Sequence, residues 1–182
     1  MPTKILVKGT DAAVELLRAY GLMMELPEGK LPGFYAQLIK ALAAKAPLLD
    51  RDKEMLIFRT LEERQAAYSV MQQYKIAWED AELLQLPENL QARPAFSDYG
   101  WVTRSGYPYV YADAVYIFRL AAADADPDAE PGQALLQLEE HLWASFQLGD
   151  ESAQAYLTDI ESKELAERIA RAYHCEAKPV PF

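Results

Sequence analysis

The segment of residues 93–123 most constrains how this chain can fold, because it concentrates aromatic side chains. Its eight aromatic residues are Phe96, Tyr99, Trp101, Tyr107, Tyr109, Tyr111, Tyr116 and Phe118. After Tyr111 only Asp113 and Arg119 interrupt an apolar run, so most sides of the segment are expected to be buried. This aromatic segment therefore predicts a core element and not a catalytic motif.

Length and composition indicate a self-sufficient domain. A chain of 182 residues can bury about two thirds of the surface that its unfolded form exposes, so residues 1–182 are expected to form a single domain. The lone Cys175 cannot form an intrachain disulfide, and the apolar run of residues 5–7 is too short for a signal peptide. Charges interrupt every other apolar stretch well before the ~20 residues of a membrane span. We expect a soluble, cytoplasmic protein with no membrane contact.

The charge of the chain is negative and unevenly distributed. A formal net charge of -10 argues against nucleic-acid binding, which depends on basic residues that neutralise phosphates. Residues 1–123 carry 15 acidic and 14 basic side chains, whereas residues 124–182 carry 13 acidic and 4 basic ones. This acidic C-terminal third favours a basic protein partner. The carboxylates predicted to contact that partner are Asp124, Asp126, Asp128 and Glu130.

The spacing of apolar residues predicts a mostly helical chain. Helices are expected over residues 11–20, 32–46, 53–73, 112–123, 131–148 and 150–157, and from residue 162 onward. The predicted fold class is all-α, a single-domain multi-helix bundle. The residues predicted to form its core, because they share helical faces, are Leu17, Leu38, Ile57, Leu61, Val115, Phe118, Leu138, Leu142 and Ile169. Two extended exceptions are a short N-terminal strand at residues 3–8 and an aromatic-rich edge at residues 107–111. The sequence shows no internal repeat and no linker.

Metal sites are not predicted. The alternating carboxylates of residues 124–130 resemble the start of a calcium loop, because alternate residues in a turn can direct several oxygens at one cation. An EF-hand loop needs Gly at its sixth position and Glu at its twelfth, and these positions hold Ala129 and Leu135. The only histidines, His141 and His174, stand in no ligand spacing. We therefore expect a solvated acidic loop, no bound metal and no other cofactor.

Catalytic motifs are also missing from the sequence. His174 and Cys175 are neighbours, but adjacent helical positions face about 100° apart and poorly favour a hydrogen bond between the side chains. No nucleophile elbow, phosphate-binding loop or dinucleotide fingerprint is present. No catalytic residue is predicted.

Two functional hypotheses from different classes follow. The first is a non-enzymatic, acidic helical binding protein that docks on a basic protein, as an immunity protein or an adaptor does. The alternative is a small helical enzyme or ligand-binding domain with a pocket in the aromatic segment. The residues predicted to line that pocket are Tyr99, Trp101, Arg104, Tyr107, Tyr109 and Arg119. A competing interpretation pairs Arg119 with Asp113 or another carboxylate at the edge of the core. A concave site where an arginine, a tyrosine and a carboxylate converge would favour the alternative.

Overall fold

The computed structural model describes residues 16–149 and 153–182, and its fold is mixed α/β. Eleven strands form two antiparallel sheets in this part of the chain, and five short helices pack beside them. The prediction of an all-α bundle is therefore wrong. The strand predicted at residues 3–8 lies outside the described residues.

The first half of the chain forms a βαββαβ unit. Its elements are β1 (Leu17–Glu25), α1 (Pro32–Lys45), β2 (Asp50–Asp52), β3 (Met55–Phe58), α2 (Leu61–Tyr74) and β4 (Ala77–Gln85). A connecting region follows with β5 (Gln91–Ala92), α3 (Phe96–Tyr99), β6 (Gly100–Val102) and β7 (Pro108–Tyr111). Strands β6 and β7 extend the sheet of the first unit, whose order is β2-β3-β1-β4-β7-β6.

The second half repeats the same order of elements. It contains β8 (Val115–Ala122), α4 (Pro131–Leu138), β9 (Leu142–Leu148), β10 (Ala153–Asp159), α5 (Lys163–Ala172) and β11 (Cys175–Pro179). Its sheet has the order β11-β8-β10-β9-β5. In each unit the first strand lies between the third and the fourth, which is the split arrangement of a ferredoxin-like motif. The chain thus contains a structural repeat that its sequence does not reveal.

Strand β8 shows why the helical prediction for residues 112–123 was wrong. Tyr116 and Phe118 face the helices of the second unit, whereas Val115 and Ile117 pack between the two sheets. A strand that is buried on both faces reads as a continuous apolar run, and such a run does not distinguish strand from helix. The same reason applies to β9 and β10, which replace parts of the helices predicted over residues 131–148 and 150–157.

Three large buried clusters form the core, one within each unit and one between the two sheets. In the first unit α1 and α2 cover one face of the six-stranded sheet, with Leu22, Leu38, Leu42, Phe58 and Met71 among the core residues. In the second unit α4 and α5 cover one face of the five-stranded sheet, with Phe118, Leu138, Leu142, Ala166 and Ala170 buried. Between the sheets lie Leu84, Leu86, Val110, Ile117, Phe146 and Leu157. The five-stranded sheet is therefore covered on both faces.

The six-stranded sheet curls into a half-barrel. Its two edge strands, β2 and β6, approach each other, because Asp50 on β2 accepts hydrogen bonds from Thr103 and Ser105, which follow β6. The concave face between them is filled by a fourth cluster, which consists of Ala19, Met55, Ile57, Leu83 and Tyr109. The half-barrel is open on either side of this packed interior. We call the opening beside Arg59 the Arg59 end and the opening beside Trp101 the Trp101 end.

Several elements match the sequence-based predictions. Helix α1 follows the prediction for residues 32–46, and α5 follows the helix expected from residue 162. The extended segment of residues 107–111 corresponds to β7. No helix in the described ranges combines the length and apolar character that crossing a membrane requires.

Candidate functional site

A cleft with a volume of about 600 Å³ opens at the Arg59 end of the half-barrel. It lies where the chain leaves β4 and crosses from the first unit to the second. Its lining residues are Leu17, Leu49, Arg59, Gln85, Leu86, Pro87, Glu88, Asn89 and Tyr107. A hollow of about 230 Å³ adjoins it and shares Leu49 and Arg59. The cleft therefore combines an apolar wall with a guanidinium, a phenol, two amides and the Glu88 carboxylate.

Arg59 is placed by the turn between β3 and α2. Its backbone N–H donates to the Glu63 carboxylate at 3.0 Å, and Thr60 forms a reciprocal capping box with Glu63 at the start of α2. Because both groups of the cap are satisfied, this turn has a defined conformation. The exposed Arg59 side chain lines both the cleft and the adjoining hollow.

Asp50 forms the centre of a hydrogen-bond network beside the cleft. Its carboxylate is only 7% exposed and accepts from Thr103 Oγ1 at 2.6 Å, from Ser105 Oγ at 3.0 Å and from the Arg51 backbone N–H at 2.8 Å. Hydrogen bonds to an ionised acceptor are stronger than bonds between neutral groups. We call this group the Asp50 clasp, since it joins the opposite edges of the curled sheet.

Tyr109 fills the half-barrel beneath the clasp. The side chain is fully buried, and its hydroxyl has no hydrogen-bond partner among the described residues. Burial raises the pKa of Tyr109 above its ordinary value, and the nearby Asp50 charge raises it further. The phenol therefore stays neutral and acts as a packing group with one unsatisfied hydroxyl.

The residues predicted to share one ligand pocket do not converge. Tyr99 stacks on Trp143 with ring centroids 4.0 Å apart, and Arg119 lies opposite Lys178 in the β8–β11 pairing. Both therefore lie on the second unit's side, away from the half-barrel interior. Arg104 is exposed beside the clasp residues Thr103 and Ser105.

The other three predicted pocket residues lie in or near the half-barrel. Tyr107 lines the Arg59 cleft, and Tyr109 lies inside the packed interior. Trp101 packs near Tyr109 with ring centroids 6.1 Å apart and lines a separate cavity at the opposite end. The sequence did not predict a role for Arg59, Leu49 or Asp50. Only the long-range closure of the sheet brings these residues close to Tyr107 and Tyr109.

The acidic loop of residues 124–130 docks on the turn before β11. Asp126 Oδ2 lies 3.0 Å from His174 Nδ1, and the Glu130 backbone N–H donates to the Tyr173 carbonyl at 3.0 Å. The Asp128 backbone N–H, followed by His174, holds the pKa of the Asp126 carboxyl below its ordinary value. Asp126 therefore supports the loop structure, while the side chains of Asp124, Asp128 and Glu130 are exposed.

His174 and Cys175 do not form a catalytic pair. His174 contacts Asp126, whereas the Cys175 thiol donates to the Tyr173 carbonyl at 3.2 Å. Burial raises the pKa of the Cys175 thiol above its ordinary value. A buried neutral thiol is a poor nucleophile. No group of three metal-ligating side chains occurs within residues 16–149 and 153–182.

A second polar cluster connects α2 to β4. Arg64 is 5% exposed and pairs with Glu82 at 3.0 Å and with Asp80 at 3.6 Å. Its NH1 also donates to the Ala81 carbonyl at 3.2 Å, and its guanidinium lies over the Tyr20 ring. These contacts are already made within the protein, so we assign the cluster a structural role.

Comparisons of this chain with protein-family models, with curated proteins and with solved structures give no significant match. Functional inference therefore depends on the geometry of the clefts and on their chemistry.

Proposed function

We propose that the protein is a ligand-binding protein whose site is the Arg59 cleft. The observation that carries this proposal is that Arg59 and Tyr107 both line an open cleft with apolar walls at one end of the half-barrel. The volume of about 600 Å³ lies within the range of small-molecule pockets, which is about 300–1,000 Å³.

Arg59 and the leucines of the lining suit a ligand with an anionic head and an apolar body. Leu17, Leu49 and Leu86 supply apolar surface, on which about 25 cal/mol per Å² is gained by burial. Arg59 offers a planar guanidinium that can pair with a carboxylate or a phosphate through two parallel hydrogen bonds. Tyr107, with 38% of its surface exposed, adds a hydroxyl at the rim. A medium-chain carboxylate is the simplest probe with both parts.

The test is a binding titration with straight-chain carboxylates of increasing length, in parallel with the primary alcohols of the same length. We expect affinity to rise with each methylene by up to about 0.8 kcal/mol until the cleft is filled. The alcohols should bind more weakly, since they lack the charge that pairs with Arg59. Calorimetry or a thermal-shift assay measures both series.

Two arginine variants distinguish binding in the cleft from a general effect of the protein's charge. Arg59→Gln should remove the preference for the carboxylate by about 1.5–3 kcal/mol, the strength of a hydrogen bond to a charged group. Arg104→Gln is the matched control, because it removes the same charge from an exposed turn outside the cleft. Equal losses in the two variants, or no carboxylate binding by the wild-type protein, would refute the proposal.

A second candidate function rests on the exposed carboxylates of the acidic loop. Asp124, Asp128 and Glu130 face solvent on the docked loop and can attract a basic protein surface. We propose docking of a basic partner there as the alternative. Reversal of these three residues to Lys should slow association far more than it accelerates dissociation, and high salt should have the same effect. A partner that binds equally fast to the reversed variant would exclude this surface.

A further inference from the structure

The Trp101 end of the half-barrel contains a second cavity, of about 220 Å³. Its lining residues are Met23, Asp52, Lys53, Glu54, Met55, Trp101 and Tyr111. The pairing of the strands places it opposite the Arg59 cleft, since Met23 pairs with Met55 at this end and Leu17 pairs with Gln85 at the other. The packed residues Ile57, Leu83 and Tyr109 lie between the two. The two cavities are therefore separate.

Aromatic rings form one wall of this cavity. The Trp101 and Tyr111 rings have centroids 5.3 Å apart and are tilted by 56°, so they form an open V and not a closed stack. Aromatic faces attract cations, and tryptophan does so most strongly. The sulfur atoms of Met23 and Met55 add polarizable surface. This wall suits the methyl or methylene groups that surround a nitrogen cation.

Carboxylates form the opposite wall. Asp52 and Glu54 flank Lys53 in the turn between β2 and β3, so the lining carries one net negative charge. The turn is fixed to the neighbouring strand, because the Met24 backbone N–H donates to the Glu54 carbonyl at 3.0 Å. The side chains of Asp52 and Glu54 form no salt bridge or hydrogen bond with a described residue. Two carboxylates facing aromatic rings favour a positively charged ligand.

The indole nitrogen of Trp101 is buried in the protein. This Nε1 has no hydrogen-bond partner among the described residues. An indole N–H is a donor only, and a buried donor without an acceptor destabilises the folded state. Because this nitrogen is not exposed to the cavity, it does not donate to a ligand bound there.

We propose that this cavity binds a small organic cation, an amine or a quaternary ammonium. Its volume is below that of sites for drug-sized ligands, which begin at about 300 Å³, so the ligand is a small molecule or the end of a longer side chain. The site is independent of the ligand proposed for the Arg59 cleft.

Choline chloride is the probe, and the indole Nε1–H signals of the three tryptophans are the readout in a nitrogen–proton correlation spectrum. We expect a saturable shift of the Trp101 signal, whereas Trp78 and Trp143 stay unchanged. A sodium chloride titration controls for ionic strength. The neutral analogue 3,3-dimethylbutan-1-ol has the same shape and hydroxyl without the charge, and it should bind about tenfold more weakly.

Single substitutions in the turn between β2 and β3 test the charged wall without disturbing the packed interior. Asp52→Asn and Glu54→Gln should each weaken choline binding several-fold, and Lys53→Gln should strengthen it. Glu164→Gln, an exposed residue of α5 in the second unit, is the matched control and should leave the affinity unchanged. The absence of a saturable Trp101 shift at about 10 mM choline, or equal affinity for the neutral analogue, would overturn the proposal.

Discussion

Removal of the Asp50 carboxylate should open the half-barrel and destabilise the protein strongly. Asp50 on β2 is the point where one edge of the curled sheet contacts the other, through Thr103 and Ser105. In the variant Asp50→Ala both hydroxyls and the Arg51 backbone N–H lose their acceptor. The two edges then have no polar contact through this position.

The magnitude follows from which donors can reach water. Thr103 is only 4% exposed, so its hydroxyl stays buried and unsatisfied, at a cost of about 1–3 kcal/mol. Ser105 and Arg51 are exposed and can bind water instead, so their lost bonds cost less. We expect Asp50→Ala to lower the free energy of unfolding by about 2–4 kcal/mol. Asp50→Asn keeps the shape and one acceptor oxygen, and should cost about 1–2 kcal/mol.

Urea denaturation of a double-mutant cycle with Asp50→Ala and Thr103→Val measures the clasp directly. The two changes should be non-additive by about 1–2 kcal/mol, because each removes the same hydrogen bond. Asp52→Ala, two residues along the same strand, is the control and should change stability by less than about 0.5 kcal/mol. A loss of stability below about 0.5 kcal/mol for Asp50→Ala, or additive effects of the two mutations, would show that the clasp does not hold the sheet edges together.

Three further predictions concern the interior and the acidic loop. Tyr109→Phe should leave the free energy of unfolding unchanged or raise it by up to about 1 kcal/mol, because it removes a buried hydroxyl without a described partner. Gly100→Ala should destabilise by about 1–3 kcal/mol in urea, since a Cβ atom would lie 2.7 Å from the Phe96 ring and 2.9 Å from a backbone carbonyl. The Asp126 pKa is lowered on folding, chiefly by the Asp128 backbone N–H, so this carboxylate stabilises the protein above its ordinary pKa of about 4. The difference in stability between wild type and Asp126→Asn should be present at neutral pH and vanish as pH falls through the lowered pKa.

Elements with one apolar face could be predicted from the sequence. Helix α1 begins at Pro32 and buries Leu38 and Leu42, and α5 buries Ala166 and Ala170 on one side. In both, polar residues on the opposite face make the helical period visible. The start and end signals then place the boundaries within a few residues.

The doubly covered strands could not be predicted in this way. In β8 the alternating residues Tyr116 and Ile117 are both buried, so the period of two is lost from the hydrophobic pattern. The alanines Ala121 and Ala122 then favoured a helix by propensity, which tertiary contacts override. The structural repeat was not predicted for the same reason. Because strands of the second unit were predicted as helices, the two βαββαβ units did not show the same order of elements.

Burial predictions were better than predictions of element type. The predicted core residues Leu38, Ile57, Val115, Phe118, Leu138 and Leu142 are buried. Leu17 and Ile169 are half-buried, and Leu61 is 37% exposed. Hydrophobic side chains are buried whether the backbone is helical or extended, so composition alone identifies many of them.

The difference between the two repeated units explains where binding sites can occur. In both units two helices cover one face of the sheet, so only the other face is available for a site. The second unit packs this face against the first unit, through Phe146 and Leu157, and it becomes core. The first unit instead gains β6 and β7, and its sheet curls until the Asp50 clasp joins the edges. A curled sheet with a packed middle necessarily has two open ends, and these ends hold the cleft with Arg59 and the cavity with Trp101. The added hairpin of the first unit, which belongs to the aromatic segment, therefore creates both candidate sites.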